Sequence, residues 1–261
     1  MKEKKFPESA LAHKYLDGLK GLEIGGSAHN PFGLNTQNID YTEEETVFKR
    51  EELEMRGDFL KVDIVAQGDD LPIEDNSQDF VINSHVLEHF SDPIKALKEW
   101  YRVVREGGYI FIIVPHKERT FDRKNPITTT EELIKRHKTG IFPVPKSNHY
   151  SFWVTESLLD LIEVIDLNWK VIDFQDVDDK VGNGFTIVIK KEKRDLEKDK
   201  VINSKIKEFR KIKEKENKSL LKILKIKRAK ELFLNTFREF KKHGLVGIWK
   251  RIPYMYKWDR K

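Results

Sequence analysis

The chain contains no cysteine, which excludes disulfides, thiolate metal sites and a cysteine nucleophile together. No uninterrupted apolar run reaches the roughly 18–20 residues needed to cross a bilayer. The opening residues Met1-Lys2-Glu3-Lys4-Lys5-Phe6-Pro7 also lack the apolar stretch of a secretory leader. The expectation is a cytoplasmic protein with no membrane span. There is no internal repeat, and the histidines and carboxylates show no tight ligand spacing, so no metal site is expected. What the chain does have is 38% hydrophobic residues, with 16 Phe and 5 Trp. That is enough apolar surface to build a core in spite of 36% charged residues. A length of 261 residues suits one catalytic-sized domain and an appendage.

Charge is unevenly spread. Residues 191–261 carry a net +15 against +5 for the whole chain, which leaves −10 on residues 1–190. We therefore expect a short helical lead-in over 1–19, a domain over 20–190 and a basic helical extension over 191–261.

From about residue 20 to 190, short apolar runs rich in β-branched residues alternate with amphipathic stretches, the pattern of parallel strands joined by helices. Strands are expected at Gly21–Ile24, Asn38–Tyr41, Asp63–Ala66, Phe80–Asn83, Tyr109–Val114, Val171–Phe174 and Phe185–Lys190. They would form one open α/β sheet with helices on both faces. The clearest helix follows Ser91-Asp92-Pro93, with Ile94, Leu97, Trp100 and Val104 at helical spacing, and is expected to end at Gly107-Gly108. Between Pro115 and Thr155 the pattern gives way to a polar stretch with three prolines and three histidines, expected to be an acceptor loop or lid over 116–154.

Leu22-Glu23-Ile24-Gly25-Gly26-Ser27 sets an acidic residue in the first strand and two glycines in the turn after it, where the backbone can pass close to a ligand. Asp40 closes the next strand, placed to accept hydrogen bonds from both hydroxyls of a ribose. The spacing is not the G-x-G-x-x-G used for a dinucleotide pyrophosphate. Further on, Gly68-Asp69-Asp70-Leu71-Pro72-Ile73 is followed by His85-Val86-Leu87-Glu88-His89-Phe90 and then by Gly107-Gly108.

This succession over residues 20–115 resembles the class I S-adenosylmethionine-dependent methyltransferases, in the group with an acidic-Leu-Pro segment, a Leu-Glu-His segment and Gly-Gly before strand five. The resemblance implies a Rossmann-like seven-stranded sheet that binds S-adenosylmethionine. Glu23, Gly25 and Gly26 would hold its methionine portion, Asp40 its ribose, and Tyr41 would lie beside the adenine. Gln67, with Gly68 and Asp69, stands where members often carry an Asp for the adenine amino group. A Gln carbonyl could accept the same bond, and Asp69 and Asp70 are alternatives.

Methyl transfer asks chiefly for alignment of the acceptor and, for a hydroxyl acceptor, removal of its proton by a group of near-neutral pKa. His85 after the fourth strand, His116 after the fifth, and His149 before a helix near Thr155 are the candidates, with His116 or His149 favoured as base. His89 is read as structural, and Glu88 as either touching the cofactor or capping the next helix. Pro115-His116-Lys117-Glu118-Arg119-Thr120-Phe121-Asp122-Arg123 resembles a segment of methyltransferases found among bacterial surface-polysaccharide enzymes. Its cations would suit a sugar or phosphosugar acceptor.

The extension places Ile202, Ile206, Phe209, Ile212, Leu221, Leu224, Leu232, Phe233, Phe237 and Phe240 at helical spacing, with lysines between, and ends in aromatics and cations over 249–258. Such a helix suits an anionic membrane surface bearing lipid-linked glycan acceptors. Packing on the domain or on a second copy in a homo-oligomer is the other reading of it. An enzyme acting on RNA and a non-enzymatic scaffold with a degenerate cofactor site are the rivals to a glycan O-methyltransferase.

Overall fold

The computed structural model describes residues 8–26, 32–46, 49–50, 53–54, 60–193 and 199–249, with side chains left undescribed at 232–233 and 235–249. Ser27 of the glycine turn, the opening residues 1–7, the aromatic end after Trp249 and the side chains of Leu232, Phe233, Phe237 and Phe240 lie outside it.

All seven expected strands form: β1 (Lys20–Ile24), β2 (Asn35–Asp40), β3 (Ile64–Val65), β4 (Gln78–Ser84), β5 (Val104–Pro115), β6 (Lys170–Gln175) and β7 (Gly184–Lys190). They make one sheet in the order β3-β2-β1-β4-β5-β7-β6. Strands β1 to β5 run parallel, and β7 is antiparallel to both neighbours. On β4 and β5, residues of both parities are fully buried, Phe80, Val81 and Ile82 on one and Ile110, Phe111, Ile112 and Ile113 on the other. Successive side chains point to opposite faces, so both faces are covered. The strand order reverses between β1 and β4, the place where an open α/β sheet leaves a crevice at the carboxyl ends of its strands.

Helix α1 (Ala10–Leu16) starts at Ser9, whose hydroxyl accepts from the Ala12 amide at 3.0 Å. Its Leu11, Ala12 and Leu16 pack with Phe80, Ile82, Phe111, Ile113 and Val188, so the lead-in is part of the domain core. Helix α2 (Pro93–Val103) has Asp92 as its cap, accepting from the Lys95 amide at 3.1 Å, and buries Ile94, Ala96, Leu97, Trp100 and Val103. It ends four residues before the expected Gly107-Gly108, because Val104 is already extended and pairs with Gln78. The glycines serve β5 instead. Gly107 sits at φ +78°, and a Cβ on Gly108 would come within 2.5 Å of the Asp79 carbonyl oxygen.

The 116–154 connection is more structured than a loop. It holds two single turns of 3₁₀ helix, Lys117–Arg119 and Phe121–Lys124, then α3 (Thr130–Thr139), capped by Thr129 and closed by Gly140 in the left-handed region. Helix α4 (Thr155–Val164) follows where expected.

The chain divides into two compact units near Ile202, later than the change in charge at Lys190. Lys191 explains the difference: its ammonium donates to Asn76, to the Tyr101 carbonyl and to the Val104 carbonyl at 2.7–2.8 Å, so the domain continues beyond the last strand. The second unit is formed by α5 (Lys200–Trp249), a single 50-residue helix with ion pairs Lys213–Glu216 and Lys218–Glu214. No described helix is long and apolar enough to cross a membrane.

Candidate functional site

A cavity of about 990 Å³ opens at the carboxyl ends of β1, β2 and β4. On one side lies the glycine turn. Gly25 has φ +64°, donates its amide to the Ile39 carbonyl at 2.7 Å, and would bring a Cβ within 2.8 Å of Val86. Gly26 donates to Asn38 Oδ1 at 2.9 Å, the same oxygen a Cβ would meet at 2.5 Å. Backbone here can only be approached closely because no side chain fills the space.

Asp40, the last residue of β2, lines the cavity with Tyr41, which is exposed, and with Lys49, whose ammonium is 3.7 Å from the Asp40 carboxylate and donates to the Thr42 carbonyl. Gln67 and Gly68 complete this wall. Gly68 is pinned from behind by Trp100, whose indole N–H donates to its carbonyl at 2.8 Å.

Two residues expected here do not line the cavity. Asp69 pairs instead with Lys95 at 3.1 Å. Glu23 is buried one residue before the cavity-lining Ile24 and accepts from the Thr36 hydroxyl at 3.3 Å. Alternation along a strand puts neighbouring side chains on opposite sides. Burial pushes the Glu23 carboxyl up to about 7, against the lowering by Thr36 and by the charge of Lys180. A carboxyl raised in the fold adds stability that is complete below its ordinary pKa and is lost as pH rises through the raised value. Glu23→Gln should therefore flatten the decline in stability between about pH 5 and 8 by about 2–3 kcal/mol. Urea unfolding across that range checks it, and a variant with the wild-type slope would refute it.

The histidines divide. His85 lines the cavity just past β4, with its amide bonded to the Ile113 carbonyl at 2.9 Å and its backbone at φ +57°, a region costly for a residue with a side chain. His149 also lines it, its Nδ1 2.8 Å from the buried carboxylate of Asp122. His116 does not. It is buried with its ring edge-on to Phe185, and its Nδ1 accepts from the Glu118 amide at 3.3 Å.

The neighbouring cations are also turned away from the cavity. Lys117 is held by Glu118 and the Arg123 carbonyl, and Arg119 by Asp176 at 2.7 Å. Lys117 and Arg119 are thus taken up in holding the connection together, while Arg123 of the same segment is exposed.

His89, expected to be only structural, lines the cavity as well. Its Nδ1 is 2.9 Å from the Asn148 carbonyl oxygen, and burial lowers its pKa. Glu88 is fully buried beside it, and burial pushes its carboxyl up to about 8. Sequence reasoning missed Asp122 because it stands among exposed charged residues of a polar stretch. The Leu-Glu-His segment was the only signal for Glu88 and His89.

Residues 25–112 match a family model described as a methyltransferase domain. An uncharacterized protein of Methanocaldococcus jannaschii is 35% identical over 121 residues, covering 42% of this chain and 55% of that protein. The chain thus spans about half the length of the curated relative it matches. Among solved structures, an S-adenosylmethionine-dependent methyltransferase of Aquifex aeolicus is 22% identical with a TM-score of 0.42, covering 69% of this chain and 86% of that one. Another, from Methanosarcina mazei, is 17% identical with a TM-score of 0.45, covering 71% and 98%.

Proposed function

We propose that this chain, whose residues 25–112 match a methyltransferase domain, is a class I S-adenosylmethionine-dependent methyltransferase that transfers a methyl group to a hydroxyl oxygen of a sugar, on a surface glycan or its precursor. The observation that carries the reading is one cavity at the β1/β4 switch point, walled by the glycine turn and Asp40 on one side and by His85 beside them. The residues fit the cofactor: the turn is a cradle that a Cβ on Gly25 or Gly26 would fill, and a carboxylate stands at the end of β2. Gly25 and Gly26 would hold the methionine portion, Asp40 the ribose hydroxyls, and Gln67 and Tyr41 the adenine. When bound, the cofactor supplies an electrophilic methyl on a sulfonium.

The chain's own part is to align the acceptor and take its proton. His85 is placed for the second task. Val86, next in the chain, abuts Gly25, so His85 stands beside the glycine turn, held there by a strained backbone. With that methyl as the electrophile and sulfur as the leaving group, His85 would take the proton of the hydroxyl as its oxygen is methylated. With Lys117 and Arg119 turned away, a neutral sugar is favoured over a phosphosugar. Mass spectrometry of surface glycan from wild-type and deletion cells tests the acceptor. Loss of one methyl group on deletion supports it, and an unchanged methylation pattern contradicts it.

The basic helix adds a place for the reaction. On α5, Ile212, Leu220, Ile223, Leu224 and Leu234 are each about half exposed, with Lys222, Lys225, Lys227 and Lys230 among them. We propose that this helix lies on an anionic lipid surface, where each cation contributes about 1 kcal/mol and apolar residues enter the headgroup region. That would bring the chain to lipid-linked acceptors. The protein should float with vesicles containing phosphatidylglycerol at low salt and be released at high salt. Failure to float at low salt would rule the surface out.

A further inference from the structure

We infer that Glu88, His89 and His149 form a binding site for one divalent transition-metal ion, of the zinc class, on the wall of the cavity. The inference rests on the methyl-transfer reading only for what the ion does there.

Geometry comes first. One ring nitrogen from each histidine and one Glu88 oxygen lie within 4.8 Å of one another, and His89 Nε2 is 3.9 Å from Glu88 Oε1. An ion bonded to each at about 2.0–2.2 Å would draw them together with small side-chain movements. The residues come from two segments sixty positions apart, which is why no ligand spacing shows in the sequence. Glu88 and His89 lie in the 3₁₀ turn Leu87–His89 just after β4, and His149 closes a tight turn in which Ser147 and Asn148 both adopt positive φ. Beside the cluster the segments are joined twice, by the Tyr150 amide to the Glu88 carbonyl at 2.8 Å and by His89 Nδ1 to the Asn148 carbonyl.

The surroundings are those of a ligand set. Both histidines engage an acceptor through Nδ1, His149 the Asp122 carboxylate and His89 a backbone carbonyl. A carboxylate or carbonyl in that position fixes the tautomer that carries its lone pair on Nε2 and sets the ring's orientation toward a metal. Neither Glu88 oxygen receives a hydrogen bond from another described residue, although the side chain is fully buried. With Asp122 also buried, two carboxyl groups meet at the cluster, while Lys49, the one lysine among the described residues that line the cavity, is occupied with Thr42 and Asp40. A bound cation would supply the partner that the buried Glu88 oxygens lack among the described residues.

Two histidines and one glutamate make a three-ligand set of the kind that keeps positions open for substrate. Those positions would face the cavity beside His85, whose Nδ1 is 3.8 Å from Glu88 Oε1. The ion would bond two neighbouring hydroxyls of the acceptor, lower the pKa of the one to be methylated, and leave its proton to His85. The acceptor class is thereby a vicinal diol.

The test uses the full chain stripped with a chelator. Zn²⁺ titrated calorimetrically should bind once per chain, and Co²⁺ should give visible ligand-field bands that Zn²⁺ abolishes. His149→Ala and Glu88→Gln should weaken Zn²⁺ at least ~100-fold, and Asp122→Asn, which keeps the shape of the residue, about 10–100-fold. His137→Ala, outside the cluster, should bind as wild type. No stoichiometric Zn²⁺ binding, or binding that survives both His149→Ala and Asp122→Asn in folded protein, would overturn the site. S-adenosylmethionine is titrated into the same chelated protein to separate the two ideas. Cofactor binding without Zn²⁺ binding removes only the metal site, and Zn²⁺ binding without cofactor binding removes only the methyl-transfer reading.

Discussion

Replacing His85 with Asn is expected to lower kcat by about 10²–10⁴-fold, the usual contribution of a positioned general base, while leaving the affinity for S-adenosylmethionine unchanged. Asn is the informative choice because it tolerates the left-handed backbone that His85 adopts at φ +57°. Ala would add strain of its own and blur the result. The amide of residue 85 would keep its bond to the Ile113 carbonyl, so the end of β4 stays in place. What is lost is a group able to accept a proton near neutral pH beside the glycine turn. Single-turnover methylation of a vicinal-diol acceptor checks this. A variant within threefold of wild type would show that the proton leaves by another route.

The second large effect is expected at Asp40. The side chain ends β2 on the cavity wall and is approached by a single cation, Lys49, at 3.7 Å among the described residues. Hydrogen bonds from neutral hydroxyls to a carboxylate contribute about 1.5–3 kcal/mol each. Water recovers part of that when the carboxylate is removed, so Asp40→Ala should weaken S-adenosylmethionine and S-adenosylhomocysteine alike, on the order of 100-fold. Asp40→Asn, which can still accept one bond, should fall between the two. Equal binding by all three proteins would mean that Asp40 meets no ribose.

How much of this was legible in the sequence depended on whether a residue's role was local. The sheet was legible because Tyr109 to Val114 and Phe185 to Ile189 are short runs rich in β-branched and aromatic residues with glycines just before them, the pattern of buried strands. The place of the glycine turn and Asp40 followed from strand ends and a rule of open α/β sheets. The end of α2 was misplaced because Gly107-Gly108 looks like a helix stop, whereas the pairing of Val104 with Gln78 ends the helix sooner. Pairing across the sheet overrode the local signal.

The acceptor side was less legible because its roles are set by residues far apart in the chain. His116 follows a strand end just as His85 does, yet its ring turns against Phe185. Lys117 and Arg119 look like an anion site until Glu118 and Asp176 are seen to hold them. Asp122 sits in a charged stretch, and only the fold brings His149 to it at 2.8 Å. Glu23 matches the family pattern, but its position on β1 directs it away from the cavity that Ile24 lines.

If the cavity at the β1/β4 switch point is a cofactor site, S-adenosylmethionine binds in it. The most direct measurement is a calorimetric titration of S-adenosylmethionine, and then S-adenosylhomocysteine, into the purified chain. We predict saturable binding of both, with one molecule per chain. Absence of heat and of saturation for both ligands would contradict the account and leave the fold as a scaffold without its chemistry.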